Sequence, residues 1–158
     1  MESTFAEAAS LGADTERCLS DIFFKIYPSY KPGQEMTIRA VLGGYDTLAV
    51  LPTGSGKTTC FMVPGLVMQK LFCGKSVIVC PTVAICEQHA SQINHICGSG
   101  TAVYYKGLID TVAALTAGTC FIIAAPEALP SLTDELVKAG TRINLLVADE
   151  VHLVGNWG

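Results

Sequence analysis

Leu51-Pro52-Thr53-Gly54-Ser55-Gly56-Lys57-Thr58-Thr59 is the stretch from which the fold of this chain can be read. It follows the apolar run Thr47-Leu48-Ala49-Val50 and precedes Cys60-Phe61-Met62-Val63, the pattern of a strand handing over to a helix. Small residues at Gly54, Ser55 and Gly56 permit a tight turn. A helix starting at Lys57 then aims several backbone N–H groups, and the positive end of its dipole, at one point. Such a loop cradles phosphate: Pro52, Thr53, Gly54, Ser55, Gly56 and Thr59 line it, Lys57 reaches the β- and γ-phosphates as a point charge, and Thr58 offers its hydroxyl to Mg²⁺. Without the flanking strand and helix signals the same residues would make a Gly/Thr-rich surface turn. Leu51 departs from the strict pattern, which has Gly at its first position.

The chain has 158 residues, half of them apolar and 15% charged, so it is long and apolar enough to bury a core and does not read as disordered. Its net charge of −4 and the lack of any Lys/Arg block mean that nucleic-acid binding has to be argued from motifs. Seven cysteines, with no C-x-x-C pair among them, read as reduced thiols of an intracellular protein, nuclear if the source is eukaryotic and otherwise cytoplasmic. Cys86, His89, His95 and Cys97 lie close in sequence, but their spacing fits no zinc ribbon or finger, and no structural zinc is expected. No signal peptide is evident, and no apolar run approaches the ~20 residues that span a bilayer, so no membrane partner is expected.

Along the chain, residues 1–18 read largely as a frayed lead-in and 19–158 as one domain. Leu19, Ile22, Phe23 and Ile26 recur at helical spacing from a cap at Thr15, and Pro28 ends that helix. A turn then leads through Tyr27, Lys31 and Gly33 into a helix that starts at Gln34, has Met36, Ile38, Val41 and Leu42 on its apolar side, and closes at Gly43-Gly44. The amide of Gln34 can both donate and accept, as an adenine edge requires, and Tyr27 or Lys31 can lie over the ring. Taken alone, the segment better suits an ordinary turn with a helix-capping Gln, and it is its place ahead of the phosphate loop that favours the adenine reading. The helix from Lys57 to about Phe72 carries Pro64-Gly65 as a kink or break. Apolar strands at 76–80, 101–105, 120–124 and 144–148 alternate with helices at 83–96, 108–115 and the segment through Leu132 and Leu136. That alternation predicts an α/β fold of the P-loop type, a mostly parallel sheet with helices on both faces and functional residues at the carboxyl ends of the strands.

The last strand runs straight into Asp149-Glu150-Val151-His152. Beside a phosphate loop, Asp149 can hold Mg²⁺ through water opposite Thr58, Glu150 can orient and deprotonate the water that attacks the γ-phosphate, and His152 can sense that phosphate. In isolation the pair would be a solvated turn after a buried strand.

In order along the chain, Tyr30-Lys31-Pro32-Gly33-Gln34, the loop Leu51 to Thr58, Val79-Cys80-Pro81-Thr82, Ala124-Ala125-Pro126-Glu127 and Ala148-Asp149-Glu150-Val151-His152, followed by Asn156-Trp157-Gly158, resemble the first RecA-like domain of a superfamily 2 helicase. Within that superfamily the pattern is most similar to the RecQ family, over residues 19–158. The resemblance implies an enzyme that uses ATP and Mg²⁺: Tyr27, Lys31 and Gln34 at adenine, with Lys57, Thr58, Asp149 and Glu150 at the Mg-nucleotide. It also implies contact with a DNA single-strand/duplex junction near Pro81, Thr82, Pro126, Glu127 and Trp157, and 3′-to-5′ unwinding. Lys31 stands where the family usually has Arg, Ser55 where it usually has Gly, and Thr82-Val83-Ala84-Ile85 replaces Leu-Ile-Ser-Leu. Family members continue into a further strand and a second domain with an arginine finger. The expectation is thus a truncated first domain, inactive in unwinding by itself. A non-catalytic nucleotide-binding remnant and the first domain of an RNA helicase are the alternatives.

Overall fold

A computed structural model of the chain describes residues 11–51 and 56–149. Pro52, Thr53, Gly54, Ser55, Glu150, His152 and Trp157 lie outside the described residues. The chain divides into two compact units, Met1–Leu71 and Phe72–Gly158.

The first unit is helical. α1 (Ala13–Ile26) begins inside the expected lead-in, and its cap is Gly12 rather than Thr15. Asp14 and Glu16 in its first turn and Lys25 in its last complement the helix dipole. One stripe, Cys18, Leu19 and Phe23, is buried, and it packs with Ile38 of α2 (Gln34–Leu42) and with Val63 and Val67. The Phe23 ring stacks on Tyr30 at 3.8 Å between centroids, which seats the turn between the two helices on the core. Arg39 of α2 donates to both carboxylate oxygens of Glu16 and, at 3.0 Å, to Glu35, tying α2 back to α1. Met36, expected on the apolar side of α2, is 58% exposed, and Ala40 is buried there instead.

α3 (Lys57–Phe72) starts where expected and continues through Pro64, so the kink or break expected there is not a break. Proline removes one helical hydrogen bond, and both Pro64 and Gly65 are buried. The strand expected at 47–50 is not formed: Leu48 and Val50 are 74% and 86% exposed, and the segment pairs with none of the described strands. An apolar run becomes a strand only where a neighbouring strand takes up its N–H and C=O groups.

The second unit is an α/β layer. β1 (Lys75–Val79), β2 (Ala102–Tyr104), β3 (Phe121–Ala124) and β4 (Ile143–Ala148) form one all-parallel sheet in the order β2-β3-β1-β4. The connections pass through α4 (Val83–Cys97), the short α5 (Thr111–Leu115) preceded by a 3-10 turn at Leu108–Asp110, and α6 (Leu129–Ala139), as parallel pairing requires. The central strands β1 and β3 are buried along their whole length, which is why they read as unbroken apolar runs. Ile122 and Val77 form a core with Tyr105, Leu132 and Leu136. In-register pairing sets Val79 beside both Ala124 and Ala148, so the segments following β1, β3 and β4 emerge at one end of the sheet.

Candidate functional site

In the first unit the side chain of Gln34 is 3% exposed and bonded at both ends to backbone. Its Oε1 accepts from Lys31 N at 2.8 Å, and its Nε2 donates to Gly56 O at 3.1 Å. The amide thereby joins the turn at Lys31 to the residue that opens α3. Gly56 has φ +76°, and a Cβ there would lie 2.3 Å from Gln34 Nε2, so both the backbone conformation and the contact require glycine. One turn further, the Thr59 hydroxyl donates to Tyr27 Oη at 2.9 Å. Tyr27, Lys31, Gln34, Gly56 and Thr59 are thus drawn together around the start of α3, where Lys57 is exposed and Thr58 half-buried in the first turn. Helix N-terminal N–H groups and a lysine at such a position are features that ordinarily favour an anion.

Leu51 has a role that sequence reading left as a departure. A Cβ on Gly33, itself at φ +84°, would fall 2.8 Å from Leu51 Cδ2. The bulky residue at the head of the loop leans on the turn that precedes Gln34.

In the second unit Pro81 and Thr82 follow β1, Pro126 and Glu127 follow β3, and Asp149 follows β4. Thr82 caps α4, its hydroxyl accepting from Ile85 N at 3.2 Å, and Thr82 and Glu127 are both exposed. Asp149 N donates to Val79 O at 2.9 Å, which fixes the aspartate just beyond the pairing. Its Oδ2 lies 2.5 Å from Nε2 of the buried His89 on α4, a pair invisible in the sequence because sixty residues separate its members. His89 does sit on the buried face of α4 with Cys86 and Ile93, the one local signal that it points inward. His95, close to His89 in sequence but not expected to share a metal with it, faces solvent.

The DEAD/DEAH box helicase family model matches residues 31–158, a span from the turn before Gln34 to the segment after β4. The chain belongs to the DEAD/DEAH box helicases. Among curated relatives it is similar to the probable ATP-dependent DNA helicase RecS of Bacillus subtilis (31% identical, covering 84% of this chain and 27% of that protein). It is similar also to the ATP-dependent DNA helicase RecQ of Pasteurella multocida (24% identical; 84% and 21%) and to the putative ATP-dependent RNA helicase R290 of Acanthamoeba polyphaga mimivirus (27% identical; 84% and 24%). The chain spans roughly a quarter of the length of these relatives. Among the described residues no helix is long and apolar enough to cross a membrane, and none of the seven cysteines is in a disulfide.

Proposed function

We propose that this helicase domain is the ATP-binding motor part of a RecQ-like DNA helicase that couples ATP hydrolysis to 3′-to-5′ unwinding. The observation that carries the reading is the bond from Gln34 to Gly56 O, because it ties a candidate adenine-reading turn to the loop that would hold the phosphates. Tyr27, Lys31 and Gln34 take the base in this reading. Gly56, Lys57 and Thr59, with Pro52, Thr53, Gly54 and Ser55, surround the phosphates.

The Thr58 hydroxyl and the Asp149 carboxylate are each a hard oxygen donor of the kind that Mg²⁺ selects. When present, Mg²⁺ would neutralise the charge that develops as the γ-phosphoryl group leaves. Glu150 orients and deprotonates the attacking water, Asp149 is held in place through its backbone bond to Val79, and His152 senses the γ-phosphate. Thr82 and Glu127, exposed at the same end of the sheet, and Trp157 are assigned to the DNA side.

Binding of a fluorescent ATP analogue to the chain tests this directly. Gln34→Ala is expected to weaken adenine nucleotides about tenfold more than GTP, the loss of a hydrogen-bonded base edge being worth about 1–2 kcal/mol beyond the loosening of Gly56 that both nucleotides would feel. Lys57→Ala is expected to weaken ATP and GTP alike. Equal effects of Gln34→Ala on both nucleotides would overturn the base assignment. Competition between DNA and RNA strands for the same protein decides between the RecQ reading and the RNA-helicase alternative that the mimivirus relative's name raises.

A further inference from the structure

β1 and β4 run in parallel register, so the residues just beyond them, Cys80 and Asp149, leave the sheet side by side. His89 reaches the same spot from α4, the helix that follows β1, with Nε2 at 2.5 Å from Asp149 Oδ2. One ligand atom from each of the three, the Cys80 sulfur, a His89 ring nitrogen and a carboxylate oxygen, lie within 4.8 Å of one another. Cys80 is fully buried, His89 is 8% exposed, and the Asp149 side chain is 13% exposed. Three donors of three chemical kinds therefore converge in a nearly dry place, supplied by two adjacent strand ends and one helix.

We propose that Cys80, His89 and Asp149 form a binding site for a thiophilic divalent cation of the zinc class, and that filling it withdraws Asp149 from the Mg-nucleotide. The second clause rests on the proposed function; the first does not. Sulfur and imidazole nitrogen beside one carboxylate favour Zn²⁺ over Mg²⁺ or Ca²⁺, and three protein ligands leave a fourth tetrahedral position for water. Zinc bonds of about 2.3 Å to sulfur and 2.0–2.1 Å to nitrogen and oxygen give donor–donor edges of roughly 3.3–3.6 Å. The present separations, 2.5 Å on one edge and no more than 4.8 Å on the others, bracket those values, so small side-chain rotations close the site. The ion takes the place of the proton between Nε2 and Oδ2, the imidazole proton then resides on Nδ1, and the thiol proton leaves to solvent.

This is a different set from the Cys86, His89, His95 and Cys97 group suggested by sequence proximity. Cys86 Sγ turns toward the carbonyl oxygen of Cys80 at 3.9 Å, and His95 is exposed.

Co²⁺ titration of the reduced chain is the test, followed by displacement with Zn²⁺. The expected result is one Co²⁺ per chain with the sulfur-to-cobalt charge-transfer band and the strong visible bands of a tetrahedral site. Cys80→Ser removes the charge-transfer band, and His89→Gln weakens Zn²⁺ at least tenfold. Cys73→Ser and Cys97→Ser, at the more accessible thiols, leave both unchanged. Persistence of the band in Cys80→Ser, or its absence from the wild type at millimolar Co²⁺, overturns the site. Zinc-edge X-ray absorption of the wild-type chain, which needs no substitution to fold, is expected to show one sulfur and three nitrogen or oxygen neighbours. No sulfur, or two, would be equally fatal. The spectra do not depend on ATP, so a nucleotide-binding failure with an intact cobalt band strikes only the proposed function. Zn²⁺ that binds without displacing Mg-nucleotide strikes only the second clause.

Discussion

At the scale of single residues the structure is governed by what buried polar groups find to bond. Gln34 is the clearest case, since a buried amide that lost either backbone partner would forfeit the favourable bond and strand a dipole out of water. Lys75 is a second. Only 8% exposed at the start of β1, its ammonium donates to Thr116 O at 2.7 Å and Thr119 O at 2.5 Å, closing the C-terminal end of α5. Burial lowers its pKa, so the charge is held at a cost, whereas the carbonyls it serves would be worse off alone. Thr119 is buried and Thr116 is exposed, so one of the two acceptors can turn to water. Lys75→Met is therefore expected to destabilise the chain by about 1–3 kcal/mol, the range for one stranded buried acceptor less the desolvation recovered. Urea unfolding with an unchanged m-value would measure it, and a neutral or stabilising result would show that the lysine is a burden rather than a cap.

At the scale of elements the sequence made α3 and all four strands legible to within two residues, because helical start signals and wholly apolar runs are local. What it hid depends on partners. The run 47–50 has strand composition but pairs with no described strand, and composition cannot name a partner. Cys80 read as the end of a core strand and His89 as a residue of α4; only the β1–β4 register brings them to Asp149. Amide chemistry marked Gln34 as a group able to donate and accept at once, but not that its partners here are Lys31 N and Gly56 O. Among the described strands the same register leaves β4 at the edge of the sheet, with Leu146 68% exposed. An apolar residue on an edge with unpaired backbone groups is a template for intermolecular pairing. Leu146→Lys is expected to cut aggregation several-fold in light scattering while moving folding stability by no more than about 0.5 kcal/mol, as for other exposed positions. Unchanged aggregation would place the sticky surface elsewhere.

At the scale of the whole molecule the thiols couple both units to alkaline pH. Burial pushes Cys60 up to about 11 and Cys120 up to about 12, and raises Cys18, Cys86 and Cys97 above their ordinary 9.0. Tyr30 and Tyr104 are raised as well, again chiefly by burial. In each case the folded state holds the proton that the unfolded state releases. The stabilisation is complete below the unfolded pKa and disappears as pH climbs through the folded one. Lys75 acts in the opposite sense: its lowered folded pKa makes stability rise with pH between that value and 10.5. One lysine faces five thiols and two phenols spread over both units, so the acids prevail. Stability should therefore be flat toward neutrality and fall from about pH 9 upward, steepening to roughly tenfold in the folding equilibrium per pH unit for each thiol still protonated only in the fold. Thermal unfolding of the reduced chain at stepped alkaline pH measures this, with thiolate absorbance as a parallel readout. Cys120→Ala supplies the control, lowering stability at neutral pH through lost packing but flattening the alkaline limb by about one thiol's share. An alkaline limb equally steep in that variant would assign the pH dependence to groups other than the buried thiols.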